Sequence, residues 1–258
     1  ADSPIYVSVR LNAGNNAQAG DLVSKGENAL GTTFRIGTYD NQGSPGSNYL
    51  NFFSFMATED NTSVNLTSNN TSGLVIENFG TGQFPINNIV LNRGQSYTVA
   101  VRPDQATGNR AGLIGALVSS DKPIVVNSGS ANGSFGNGGA RDYGIDQIVE
   151  LSKVGKEYIF VRGDGADSFE NILVVAHEDN TEVYVNGDTN PVANIGAGSY
   201  YIIEGDSFTN NNMYVSTSKD VFIYQGVGGL NTQGNPSEAN QGMFFVPPLS
   251  CGSRGDVN

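Results

Sequence analysis

Ala57-Thr58-Glu59-Asp60-Asn61-Thr62-Ser63-Val64-Asn65-Leu66 returns further along the chain as Ala176-His177-Glu178-Asp179-Asn180-Thr181-Glu182-Val183-Tyr184-Val185. Two further phrases follow it in the same order. Leu91-Asn92-Arg93-Gly94-Gln95-Ser96-Tyr97 is matched by Ile195-Gly196-Ala197-Gly198-Ser199-Tyr200. Ser120-Asp121-Lys122-Pro123-Ile124-Val125-Val126-Asn127-Ser128-Gly129 is echoed by Thr217-Ser218-Lys219-Asp220-Val221-Phe222-Ile223-Tyr224-Gln225-Gly226. Matches in register mean an internal duplication, and a repeat decides the architecture before any single residue does. A fainter echo, Leu30–Ile36 against Val154–Phe160, marks where each unit starts. The expected organisation is a lead-in over 1–21, unit 1 over 22–150, unit 2 over 151–248, and the start of a following unit or a linker over 249–258.

The repeated units read as all-β. Short runs rich in β-branched and aromatic residues recur between Gly, Asn and Asp, and no apolar helical periodicity is sustained over 11 residues or more. The runs are 5–10, 32–38, 50–57, 63–66, 73–78, 86–91, 96–101, 112–118 and 123–127 in the first part. The second part has 157–161, 171–176, 182–185, 199–203, 213–215, 221–224 and 243–246. Seven or eight strands in about 100–130 residues suit two tandem β-sandwich-like units; the alternative is a propeller-like arrangement of the repeated strands. Asp and Asn favour turns, so Glu59-Asp60-Asn61-Thr62 predicts a β-hairpin between 53–57 and 63–66. Asp121-Lys122-Pro123 predicts a second turn, with proline fixing φ before a new strand.

Composition narrows the function. The chain has 13 basic and 25 acidic residues, a net charge of −12, which disfavours nucleic acid and anionic membrane surfaces as partners. No apolar run approaches the ~20 residues of a membrane-spanning helix. The one cysteine, Cys251, excludes an intrachain disulfide and a thiolate metal cluster. Dilute charge and Gly/Asn/Ser-rich loops suit an extracellular or cell-surface protein.

The ordered phrases Ala-x-Glu-Asp-Asn-Thr-x-Val, Leu-Asn-Arg-Gly-Gln-Ser-Tyr and Ser-Asp-Lys-Pro-Ile-Val-Val-x-Ser-Gly are followed by Asp146-Gln147-Ile148-Val149-Glu150 and Gly155-Lys156-Glu157-Tyr158. From about Leu30 to Leu249 the chain resembles the IgG Fc-binding protein N-terminal domain family, of animal mucus proteins and large bacterial surface proteins. The resemblance implies extracellular binding or adhesion rather than catalysis, and for bacterial members a large secreted adhesin, some exported by the type IX, gliding-motility system. Many relatives carry cysteines before the Asp-His/Gln-Leu-Val-Glu segment. Here Gly136-Asn137-Gly138-Gly139-Ala140-Arg141-Asp142 has none, which suits a bacterial surface protein and leaves antibody binding in question.

Each chemical motif competes with a plainer reading. The lone His177 stands where unit 1 has Thr58, with no Gly-x-Ser-x-Gly elbow nearby, so it reads as a structural histidine and the chain as no enzyme. The acid pairs Glu59-Asp60 and Glu178-Asp179 would suit calcium if a turn brought them together; the alternative is a polar turn. Two long segments, 128–145 and 226–242, occupy equivalent places after the Lys-containing phrase and are the expected binding loops. Arg141, Asp142, Tyr143 and Asp146 on the first are the candidate ligand-binding residues. Arg-Gly-Asp occurs at 162–164 and 254–256, and Asn-x-Ser/Thr at Asn61, Asn65, Asn69, Asn70 and Asn132.

The expected partners are an extracellular glycan or protein and further repeats of the same parent chain, with calcium as a possible cofactor. Surface character separates the functional readings. A ligand-binding module predicts an aromatic-lined cleft at the long loops, whereas a stalk or filament predicts apolar patches at both poles. A hydrolase would need a clustered acid pair with a perturbed pKa.

Overall fold

The computed structural model describes residues 8–13, 18–43, 45–69, 73–77, 80–81, 84–136, 141–231, 233, 235 and 240–249. An antiparallel pair opens it, β1 (Ser8–Ala13) and β2 (Gln18–Val23). A nine-stranded sheet follows: β3 (Gly31–Arg35), β4 (Leu50–Ala57), β5 (Thr62–Thr67), β6 (Val75–Ile76), β7 (Gly80–Thr81), β8 (Ile86–Leu91), β9 (Ser96–Val101), β10 (Leu117–Ala131) and β11 (Gly144–Ile148). A seven-stranded sheet completes the fold: β12 (Gly155–Val161), β13 (Ile172–Ala176), β14 (Thr181–Val185), β15 (Ala193–Ile195), β16 (Tyr200–Ile203), β17 (Asn212–Val227) and β18 (Gly242–Phe245). The chain is all-β.

The duplication holds for seven strands of each unit. The first unit has the order β8-β5-β10-β4-β9-β6-β7, with β3 and β11 also on β10; the second has β15-β14-β17-β13-β16, with β12 and β18 on β17, so β6 and β7 extend the first sheet alone. In each unit one long strand serves two layers. Residues 117–120 of β10 pair with β5, and residues 124–131 pair with β4. β17 repeats this, with 215–217 on β14 and 221–225 on β13. The two layers meet over a core of alternating inward residues, Asn51, Phe53, Phe55 and Ala57 from β4 facing Val64 and Leu66 from β5.

Two turn expectations need correction. Glu59-Asp60-Asn61-Thr62 does not close a hairpin, because β10 lies between β4 and β5. It is a corner that carries the chain from one layer to the other. Asp121-Lys122-Pro123 is not a turn between strands but the bend within β10, where its register against β3 shifts between Ser119 and Ile124. Local turn propensity was right about a change of direction and silent about pairing.

The corner explains why the three repeated phrases travel together: they touch. Thr62 Oγ1 donates to the Glu59 carbonyl at 2.8 Å, the Asp60 carboxylate accepts from Arg93 N at 3.0 Å, and Lys122 Nζ donates to the Asp60 carbonyl. Unit 2 repeats each bond. Thr181 Oγ1 donates to the Glu178 carbonyl at 2.8 Å, the Asp179 carboxylate accepts from Ala197 N at 2.9 Å, and Lys219 Nζ donates to the Asp179 carbonyl at 2.6 Å. Asn61 and Asn180 sit at φ 53° and 56°, left-handed geometry that asparagine tolerates.

The units are not independent beads. All five residues of β13 are buried, against an alternating pattern in β4. Ile172, Val174 and Ala176 face the core of unit 2, while Leu173 and Val175 join Phe222, Tyr224 and Phe245 in the core of unit 1. A strand buried on both faces reads as an unbroken apolar run, which is what Ile172-Leu173-Val174-Val175-Ala176 is. At roughly 1.5–3 kcal/mol per large apolar side chain, uncovering Leu173, Val175, Phe222, Tyr224 and Phe245 would cost on the order of 10 kcal/mol, comparable with a domain's whole stability.

The seam is also close-fitting. Tyr224 Oη donates to the Arg35 carbonyl at 2.8 Å, and its ring covers Gly37, where an added Cβ would lie 2.3 Å from it.

Candidate functional site

The segments after β10 and β17 are held at their bases by buried polar groups. At the first, Asn41 Nδ2 donates to Asn51 Oδ1 at 2.9 Å, Ser130 Oγ also donates to Asn51 Oδ1, and Ser134 N donates to Asn41 Oδ1 at 3.2 Å. Phe135 then packs edge-on against Tyr39, ring centroids 4.9 Å apart. At the second, the carboxylate of Glu170, 0% exposed, accepts from Gly163 N at 2.9 Å, Gly165 N at 2.8 Å and Gly228 N at 2.8 Å. Both loops are shorter than the sequence suggests. β10 runs on to Ala131 and β11 begins at Gly144, while β17 reaches Val227 and β18 begins at Gly242.

The two segments converge. Arg141 and Gln241 form a parallel bridge, and Asn240 Nδ2 donates to Asp142 Oδ2 at 2.9 Å. β2 closes the third side. Tyr143 N donates to the Ala19 carbonyl at 3.1 Å, and the Asp142 carboxylate accepts from Ala19 N. Asp146, 4% exposed, is the hub: it accepts from Lys25 Nζ at 2.8 Å, Phe245 N at 3.1 Å, Val23 N at 3.3 Å and Gln147 N at 2.8 Å. One carboxylate thereby ties β2, β11 and β18 together.

Between these walls lies a cleft of about 650 Å³, lined by Asp21, Val23, Tyr143, Met243 and Phe244 among others. Phe244 is 39% exposed because β18 alternates, turning Met243 and Phe245 inward. Of the four expected ligand-binding residues, Asp142, Tyr143 and Asp146 line this cleft, whereas Arg141 stacks on the Tyr49 ring at 4.5 Å. The carboxylates of Asp142 and Asp146 are engaged in holding the walls, which leaves Tyr143 as the residue of that set best placed to meet a ligand. Phe244, Asp21 and Lys25 were missed. Only the alternation in 243–246 could have flagged Phe244, and β2 carried no distinct strand signal.

The other sequence candidates lie elsewhere. Glu59, Asp60, Glu178 and Asp179 sit in the two corners, and among the described residues no three His, Cys, Asp or Glu side chains cluster as a metal site. The first Arg-Gly-Asp is woven into the fold: Arg162 donates to the Gly205 and Gly165 carbonyls and pairs with Asp167 at 2.7 Å, and Gly163 N is held by Glu170. The second, with Cys251 and Asn70, lies outside the described residues. Asn132 is 8% exposed, and the Asn69 amide reaches across the seam to the Ala197 carbonyl.

His177 belongs to the seam, its carbonyl facing the Arg35 guanidinium at 3.5 Å. Burial, and then the Arg35 charge, hold its pKa below the usual 6.5, with Glu178 opposing. The folded state therefore favours neutral imidazole. Its contribution is complete above about pH 6.5 and is lost as pH falls through the lowered folded value. Asp40, pushed up to about 6 chiefly by burial, acts in the opposite sense, contributing at acid pH and losing that contribution as pH rises through about 6. Urea unfolding of wild type and His177→Gln at neutral pH and near pH 5 separates the two. The wild-type advantage should shrink on acidification, and a pH-independent difference would remove His177 from the account.

No curated protein and no solved structure matches the chain significantly. The ordered phrases, the seven-strand duplication they build and a match to the family description IgGFc binding protein over residues 19–256 together show that the chain belongs to the IgGFc binding protein family.

Proposed function

We propose that this chain is a non-catalytic, extracellular binding module whose ligand site is the cleft between β2, β11 and β18. The observation that carries the reading is the convergence of the two repeat-equivalent segments on one aromatic-lined cleft. Its volume, about 650 Å³, falls within the ~300–1,000 Å³ of typical ligand pockets. Tyr143 and Phe244 are the aromatic anchors, and Asp21 adds an exposed acid at the rim. Aromatic side chains offer large contact area at low entropic cost, which is why they dominate binding hot spots. The family name supports a protein as ligand, and a glycan stacking on the same rings is the alternative. In this reading units 22–150 and 151–248 act as one body that positions the cleft within a larger surface adhesin.

The test is biolayer interferometry of the chain against immobilised IgG Fc and a panel of mucin glycoproteins, with a glycan array alongside. Phe244→Ala and Tyr143→Ala should each weaken the binding found by about tenfold or more, the effect of losing ~1.4 kcal/mol or more at an anchor. Binding untouched by both substitutions would move the site away from this cleft.

A further inference from the structure

The duplication gives each surface built on the seven repeated strands of one unit a counterpart on the other. The outer face of unit 2, formed by Leu173, Val175, Phe222, Tyr224 and Phe245, is seated on unit 1 at Arg35 and Gly37. Strand registers locate the same two surfaces where they are open. Arg35 opposite Leu117 corresponds to Ile159 opposite Tyr214, so the counterparts of Arg35 and Gly37 are Ile159 and Val161. These are 51% and 65% exposed. Ser54 opposite Asn127 and Asn127 opposite Gln147 correspond to Leu173 opposite Tyr224 and Tyr224 opposite Phe245. The counterpart of the seated face is therefore Ser54, Met56, Val125, Asn127 and Gln147 on unit 1.

That second surface is hollow. Its residues line a depression of about 290 Å³, Met56 is 40% exposed, and Asn127 Oδ1 is buried with no hydrogen-bond partner among the described residues. The sizes are exchanged in a complementary way. Inside the chain a large Tyr224 covers a glycine; at the open surfaces a smaller Asn127 corresponds to Tyr224 and a larger Val161 to the glycine.

We infer that copies of this chain associate head to tail, with Ile159 and Val161 of one copy seated in the Met56–Val125–Asn127 hollow of the next. The contact repeats between molecules the relation that joins unit 1 to unit 2 within one. It joins two different surfaces, so it builds a head-to-tail chain or ring of molecules and not a two-fold dimer. A net charge of −12 per copy opposes the approach, so salt should strengthen it. The inference is independent of the cleft.

Sedimentation velocity tests it, from about 5 to about 500 µM chain and from about 0.15 to about 0.5 M salt. The weight-average sedimentation coefficient should rise with concentration and with salt. Val161→Arg and Met56→Arg, both at exposed positions, should each remain monomeric alone. Mixed in equal amounts they should form a dimer and nothing larger, because one intact pair of surfaces remains. A wild-type monomer throughout, or association that survives both substitutions, overturns the inference.

Discussion

Replacing Glu170 by alanine should cost about 3–5 kcal/mol of stability, one of the two largest single-residue effects expected in this protein. The carboxylate is buried and accepts from Gly163 N, Gly165 N and Gly228 N. Its removal leaves three main-chain donors facing an apolar gap, and each unsatisfied donor costs about 1–3 kcal/mol unless water enters. Glu170→Gln keeps the shape and one acceptor oxygen and should fall between alanine and wild type. The same donors anchor 163–165 and 228, the base of the segment that leads to β18, so hydrogen exchange there should accelerate before global unfolding. Urea denaturation monitored by circular dichroism measures the loss. A cost below about 1 kcal/mol would mean that the three donors find other partners.

Tyr224→Ala should cost about as much, roughly 3–5 kcal/mol for a large aromatic side chain removed from a packed seam. The hydroxyl bond to the Arg35 carbonyl goes with it. The more informative result is the form of the transition. Because Leu173, Val175, Phe222, Tyr224 and Phe245 share a core with unit 1, both units should still melt together, in one transition shifted to lower denaturant. Gly37→Val approaches the same contact from the other side, forcing a side chain into space held by the Tyr224 ring, and should give the same single shifted transition. Two separate transitions, with only one moved, would show that the units unfold independently and that the shared core contributes little.

The corner motifs show how far sequence reading reaches. Thr62 and Thr181, Asp60 and Asp179, and Lys122 and Lys219 make the same bonds in both units, and each residue belongs to one of the three repeated phrases. The spacing announced that the phrases belong together without saying that they touch. β2 and β11 escaped notice because Gln18–Val23 and Gly144–Ile148 mix Gly, Asp and Gln into short runs with no clear alternation. Their contact rests on Asp142 and Asp146, which reach Ala19, Val23 and Phe245 at 123, 123 and 99 residues' separation. The first loop is shorter than its composition suggests, because Ser128–Ala131 reads as turn-forming yet continues a ladder.

By itself the sequence determined the all-β class, the duplication and the places where the chain changes direction. These are written in period-two patterning and in the φ preferences of Asn, Gly and Pro, which act over a few residues. Only the tertiary structure decided that β10 and β17 each bridge two layers, that β13 is buried on both faces, and that two loops and β2 enclose a single cleft. Those features depend on which distant strand supplies the next hydrogen-bond partner and the next apolar surface. A local pattern constrains that choice without naming the partner, because any complementary edge or face satisfies it equally well.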